Sequence, residues 1–240
     1  MLKNEISSAS APVPVAPNGR LRLVVFDFDG TLVDSLEAIV LAMMESWRQH
    51  DLSPPDPIAI RRVIGLSLVE AMAILLPEER PSLHHSLAEH YKTAFQGLRA
   101  RPDHDEPLYP GAIEALDALE AKGFVLGIAT SKSRRGTLKT LQMHGLEDRF
   151  VTIQTPDQGL GKPHPDMLLR AVAEAGVEPV DTVMIGDTVF DMEMARNAAI
   201  TAIGVGWGYH DIADLHTAGA SSVLSGFDEL PSAVFEIMED

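Results

Sequence analysis

The sequence predicts an α/β fold, a doubly wound parallel sheet carrying one all-helical insert. Three observations predict it. Short, nearly continuous apolar runs recur: Leu21, Leu23, Val24, Val25, Phe26 and Phe28 first, then Phe124–Ala129, Phe150–Ile153, Thr182–Ile185 and Thr201–Val205. Such runs are the mark of strands buried on both faces of a parallel sheet. Helical stretches separate the later runs, at Gly111–Lys122, Arg134–His144, Pro165–Ala175 and Phe190–Ala198. The third places Met167, Leu168, Ala171, Val172 and Ala175 on one stripe. The alternation also breaks once, from Ser35 to about Glu106, where only helical stretches punctuated by Pro54, Pro55, Pro77 and Pro81 occur. Strands alternating with helices mean βαβ units and a Rossmann-like core. A gap of about seventy residues is too long for a crossover. The expected division is a core of residues 19–34 and 107–240, with a helical cap at 35–106. The cap is expected over the C-terminal edge of the sheet, where open α/β sheets bind ligands, placed to act as a lid.

Residues 7–17, SSASAPVPVAP, fix φ and remove donors at each proline, so residues 1–18 are expected to be an extended or disordered tail. The 240 residues are 45% hydrophobic and 22% charged, enough for a sizeable core. Nineteen basic against 35 acidic residues give a net charge of −16, which repels nucleic-acid backbones and anionic lipid. No basic patch is evident along the chain, so neither nucleic acid nor membrane is expected as a partner. Cysteine is absent, which excludes disulfides, thiol catalysis and Cys-ligated zinc. No apolar run approaches the roughly 18 residues of a membrane span. No N-terminal stretch suits a signal peptide, and a soluble, cytoplasmic protein is expected.

The first strand ends in Asp27-Phe28-Asp29-Gly30-Thr31-Leu32-Val33-Asp34. Acids ending a buried strand are costly unless a cation or a reaction needs them. Alternation points Asp27 and Asp29 the same way, and Gly30 permits a sharp turn. Asp34, with Glu37 three residues on, is expected to cap the next helix. The fourth strand ends in Gly186-Asp187-Thr188-Val189-Phe190-Asp191, with Asp187 leaving the strand and Asp191 opening a helix. Together the four acids make an oxygen-rich cluster suited to a hard cation, above all Mg²⁺. Thr130 and Ser131 end the second strand, where hydroxyls and free amides can hold a phosphate oxygen. Lys162 lies in Gly161-Lys162-Pro163-His164-Pro165, whose prolines stiffen the backbone that aims it.

The order DxDGT, a strand-ending Thr, Lys-Pro and GDxxxD resembles the haloacid dehalogenase superfamily. The DFDGTLVDS opening and the helical insert resemble its phosphoglycolate phosphatase-like branch with a C1-type cap. The resemblance implies a Mg²⁺-dependent hydrolase of small phosphorylated metabolites, with phosphoglycolate the leading substrate. It implies that Asp27 is the nucleophile, forming an aspartyl-phosphate, and that Asp29 is the general acid and base. Mg²⁺ would be held by Asp27, the Asp29 backbone carbonyl and Asp187, with Asp191 in support. Thr130, with Ser131 and Gly30, would hold the phosphoryl oxygens. Lys162 would pair with both Asp27 and the phosphate. The same conclusion follows from charge: an anionic nucleophile can approach a phosphate dianion only if cations neutralise both.

Neighbouring activities differ at particular letters. The superfamily's dehalogenases and phosphonatases lack the acid at Asp29, and Lys92 is the only lysine of the insert available for a Schiff base. The β-phosphoglucomutase-like reading expects basic residues in the cap loop Ile64-Gly65-Leu66-Ser67-Leu68, where Ile64 and Leu68 are apolar. A non-catalytic phosphate-binding or signalling module is the remaining alternative. Gly159-Leu160-Gly161-Lys162 departs from a P-loop at Pro156 and Pro163, and Gly204-Val205-Gly206-Trp207-Gly208 departs from a dinucleotide fingerprint at Tyr209. The latter is expected to turn the chain beside the site. His84, His85 and His90 are expected on a solvated helix face. Arg61, Arg62 and Ser67 are candidate specificity contacts, although consecutive arginines cannot both aim into one site from a helix.

Overall fold

The computed structural model describes residues 20–239; the tail expected at 1–18 lies outside them. The core is a six-stranded sheet in the order β3-β2-β1-β4-β5-β6. Its strands are β1 (Arg22–Phe26), β2 (Phe124–Ala129), β3 (Phe150–Gln154), β4 (Thr182–Gly186), β5 (Thr201–Val205) and β6 (Ser222–Leu224). All five pairings are parallel, with Val25 opposite Gly127 on one side and Met184 on the other.

The apolar runs are strands because both faces are covered. In β1, Val24 and Phe26 belong to one buried cluster and Leu23 and Val25 to another, the period of two of an extended chain. One cluster takes Leu116 and Leu119 from α5 (Ala112–Ala121), Leu141 from α6 (Arg134–His144) and Val234 from α10 (Leu230–Glu239). The other takes Met167 and Leu168 from α7 (Asp166–Ala175), Met192 from α8 (Val189–Asn197) and Leu215 from α9 (Ile212–Ala218). Strand β6 escapes the sequence because three residues carry too little pattern; it pairs Val223 against Gly204.

Between β1 and α5 the chain forms four helices: α1 (Leu36–Arg48), α2 (Pro57–Val63), α3 (Leu68–Leu75) and α4 (Pro81–Arg99). They have their own apolar centre, with Trp47, Ile60, Met72 and Leu87 almost wholly buried. Helix α2 begins where the Asp56 side chain accepts from the Ile58 N–H at 2.8 Å, with Pro57 in its first turn, where a missing N–H costs nothing. Pro81 starts α4 in the same way. The two chain segments joining this layer to the core lie side by side: the Asp34 N–H donates to the Pro107 carbonyl at 2.8 Å and the Tyr109 N–H to Leu32 at 3.0 Å.

Two sequence expectations are corrected here. The N-cap of α1 is Ser35 rather than Asp34, whose carboxylate makes only a long 3.4 Å contact with the Leu36 N–H. His84 is not on the solvated face of α4: it is buried, with Nε2 2.9 Å from the Leu76 carbonyl, because it lies on the same face as Leu87. His85 and His90 are exposed, as expected.

Candidate active site

The order of the strands reverses beside β1: the chain moves outward through β2 and β3, then returns to place β4 on the other flank. In open α/β sheets ligands bind at such a switch point, outside the carboxyl ends of the strands. Asp27 follows β1 and Asp187 follows β4, so this topology sets them together. Asp27, Asp187 and Asp191 offer carboxylate oxygens within 4.8 Å of one another, all three buried. Lys162, wholly buried on the loop before α7, places its ammonium 2.7 Å from Asp27 and 2.6 Å from Asp191.

Each acid is held by specific partners. The Asp27 N–H donates to the Ile185 carbonyl at 2.8 Å, continuing the sheet by one residue. Asp187 accepts from the Thr31 hydroxyl at 2.8 Å and from the Tyr209 N–H at 2.9 Å. Asp191 serves both as helix cap and as charge partner: one oxygen accepts from the Thr188 N–H at 3.0 Å and hydroxyl at 2.7 Å, while the other faces Lys162. The glycine-rich turn after β5 brings backbone against the site. A Cβ on Gly208 would lie 2.1 Å from the Asp187 Cβ, so no larger residue fits there. Gly30 has φ +90° and abuts the Asp187 carboxylate, so its lack of a side chain serves that acid.

The charges do not balance. Burial, and then the Asp191 carboxylate, push the Asp27 carboxyl up to about 7, against the opposing ammonium of Lys162. Burial and the neighbouring Asp27 and Asp191 raise Asp187 well above its ordinary value. Burial would lower Lys162, but Asp191 and Asp27 outweigh it and hold the ammonium above its ordinary value. One buried lysine thus faces three buried acids, a donor set of oxygens that fits a hard divalent cation.

Asp29 departs from the expected grouping. Alternation fails after Asp27 because the chain turns, the Phe28 carbonyl accepting from the Leu32 and Val33 N–H groups. The Asp29 carboxylate instead accepts from the Ser35 hydroxyl at 2.6 Å and pairs with Lys132 at 2.7 Å. It still borders the same cavity as Asp27. Two phosphate contacts expected from the sequence have other partners. The Gly30 N–H donates to Val33 at 2.8 Å, and the Ser131 hydroxyl donates to the Gly65 carbonyl, tying the α2–α3 loop to the core. Thr130 borders the cavity, its hydroxyl oxygen accepting from the Lys132 N–H at 3.2 Å.

The cavity, of about 570 Å³, lies between the sheet edge and the helical layer. Loop residues Ile64, Gly65, Leu66, Ser67 and Leu68 form part of its wall, as do Tyr91 and Phe95 of α4. Arg61 does not reach it: the guanidinium donates to the Gly208 carbonyl at 2.9 Å and to that of Tyr209. Arg62 borders a separate surface hollow. The sequence reading missed Lys132, which directly follows Thr130 and Ser131 and was open to inference by one further residue. It also missed the buried Glu106, which accepts from Arg99 Nη2 at 2.7 Å and lies 3.5 Å from Lys132. Burial alone would raise Glu106, but Arg99, Lys132 and His104 hold it well below the usual carboxylate range.

A doubly wound sheet with a metal-competent acid cluster at its switch point, facing a helical layer, defines a class of α/β hydrolases. Residues 24–205 match the model of the haloacid dehalogenase-like hydrolases, and the chain belongs to that family. It is 35% identical over 220 residues to a Dickeya dadantii protein named Probable phosphatase IndB, covering 90% of this chain and 95% of that one. It is 31% identical to a phosphoglycolate phosphatase of Agrobacterium fabrum, covering 89% and 92%. The crystal structure of a hydrolase from Pseudomonas syringae superposes with a TM-score of 0.81 at 31% identity, covering 90% of this chain and 99% of that one. Among the described residues, no helix is long and apolar enough to cross a membrane.

Two outcomes follow from the charge imbalance. Asp27 and Asp187 have raised folded-state values, so their contribution to stability is fully present below the unfolded value of 3.8 and is lost as pH rises, through about 7 for Asp27. In the presence of a chelator, the melting temperature should therefore fall between about pH 4 and pH 7; a flat or rising profile would contradict the buried cluster. Lys162→Ala leaves two buried carboxylates without their cation and should cost about 3–5 kcal/mol in urea denaturation under the same conditions. Wild-type stability would show that the ammonium does not balance them.

Proposed function

We propose that this chain is a Mg²⁺-dependent phosphomonoester hydrolase of small phosphorylated metabolites, acting through an aspartyl-phosphate on Asp27. The observation that carries this reading is the buried cluster of Asp27, Asp187 and Asp191 with Lys162 against Asp27, which itself borders one cavity together with Asp29. We read residues 35–106 as the cap of this enzyme and 19–34 with 107–240 as its core. The names of the relatives, phosphatase and phosphoglycolate phosphatase, support the reaction class.

Asp27, Asp187 and the Asp29 carbonyl would hold Mg²⁺, with Asp191 in support through Lys162. When bound, the ion supplies positive charge that offsets the dianion and the carboxylates around it. An Asp27 oxygen attacks phosphorus in line, the bond to the ester oxygen breaks, and Asp29 protonates the departing oxygen. A water then attacks phosphorus, Asp29 takes its proton, and the Asp27–phosphorus bond breaks to release inorganic phosphate. The Lys162 ammonium fixes the attacking carboxylate, and Thr130 donates to a phosphoryl oxygen. Ser35 and Lys132 orient Asp29 by holding the same carboxylate oxygen. The loop of residues 64–68 carries no basic side chain, which disfavours the mutase alternative.

Asp27→Asn should abolish Mg²⁺-dependent release of phosphate from p-nitrophenyl phosphate while leaving circular dichroism unchanged; a variant that still turns over would exclude Asp27 as nucleophile. Asp29→Asn should lower turnover of alkyl phosphates by about 10²–10⁴-fold. Measured as kcat/KM, which reports formation of the aspartyl-phosphate rather than its hydrolysis, the loss should be much smaller for p-nitrophenyl phosphate, since that leaving group needs no proton. Equal losses on both would remove the acid role.

A further inference from the structure

The cavity wall is basic in a chain that is strongly acidic. Of 19 lysines and arginines in the protein, five border this one cavity: Lys92, Arg99, Lys132, Arg135 and Lys139. Most are already matched. Arg99 and Lys132 pair with Glu106 and Asp29, and Lys92 pairs with Glu89 at 2.7 Å. Among the described residues, the side chains of Arg135 and Lys139 have no ion-pair or hydrogen-bond partner. The remaining acid of the wall, Asp157, accepts from the Arg134 N–H at 2.7 Å at the start of α6, and it has no ion pair with either cation.

Arg135 and Lys139 stand four residues apart on α6, on one face of the helix, both exposed. Like charges so placed repel each other, an arrangement relieved by an anion lying between them. Side chains on a helix lean toward its N-terminus, and the N-terminus of α6 is the end that follows Thr130 and Ser131. Lys139 begins about 9 Å along the helix from Ser133, farther from the Thr130 end of the wall than Arg135. Across the opening, α4 contributes Gln96 and Lys92. A volume of about 570 Å³ falls in the range of pockets that enclose ligands of drug size, well beyond a two-carbon phosphate.

We propose that Arg135 and Lys139 form a second anion subsite, so that the substrate is an extended phosphomonoester whose far end carries a carboxylate or a second phosphate. The proposal rests on the hydrolase reading for the end that reacts, and adds the chemistry of the other end. The sequence reading passed over a basic run here, since Lys132, Arg134, Arg135 and Lys139 fall within eight positions without an acid; Lys92 and Arg99 of α4 join it across the cavity. Arg135 and Lys139, unlike the other three, place unmatched positive charge on the α6 side of the cavity wall.

Phosphonates bind without being turned over, so they test the subsite separately from catalysis. Calorimetric titration of the full chain with Mg²⁺ would compare three six-carbon alkylphosphonates ending in carboxylate, phosphonate or hydroxyl, together with phosphonoacetate. The two charged ends should bind about tenfold more tightly than the hydroxyl end, about 1.4 kcal/mol, with an advantage that shrinks as salt rises. The larger of the two gains identifies the distal group. In R135A/K139A the advantage should disappear. Three outcomes overturn the proposal: equal or absent binding of the three long probes, an advantage that survives in the double variant, or the full advantage already present in phosphonoacetate. Wild-type turnover of p-nitrophenyl phosphate judges the hydrolase reading independently.

Discussion

The contact between the Lys162 ammonium and the carboxylates of Asp27 and Asp191 governs this structure. A lysine with no exposure is rare unless paired; burial disfavours the ammonium here, and Asp191 and Asp27 together outweigh it. Yet pairing is incomplete: Asp187 is equally buried and has only hydrogen bonds from Thr31 and Tyr209 to support it. The interior therefore holds excess negative charge at the one place where the sheet topology opens toward a cavity. Such a site is stable with a cation and strained without one, which is the electrostatic condition for binding metal and phosphate together.

Much of the chain exists to bring four side chains to that point. Strands β1 and β4 are neighbours only because the chain reverses direction across the sheet, and their termini supply Asp27 and Asp187. The opening turn of α8 supplies Asp191, and the loop before α7 supplies Lys162. Close approach of backbone at Gly208 and Gly30 then confines the Asp187 side chain. A second charged network, Asp29–Lys132–Glu106–Arg99, runs from the cavity to the segment that reconnects the helical layer with the core. The two networks leave Asp27 and Asp29, only two residues apart along the chain, with different charged partners.

The sheet and the acid cluster were legible because their signals are local. A buried strand must read as an apolar run, and an acid at its end has few structural excuses, so Asp27, Asp187 and Lys162 could be singled out from their neighbours in sequence. What was illegible depends on contacts distant in sequence or on turns. The direction of Asp29 depends on where Phe28 sends its carbonyl. Glu106 acquires its meaning from Arg99, Lys132 and His104, none of which carries a motif. Arg135 and Lys139 look like any solvated helix face until the cavity is seen beside them. Strand β6 is too short to show a period.

Tyr209 has a mechanical consequence. Its N–H holds Asp187, its carbonyl is gripped by Arg61 of α2, and its buried ring packs with Trp47 and Met72 inside the helical layer. One residue is thus anchored in both halves of the molecule. Any displacement of α2 or of the apolar centre of the helical layer would therefore bear on the same residue whose amide supports the carboxylate at the tip of β4.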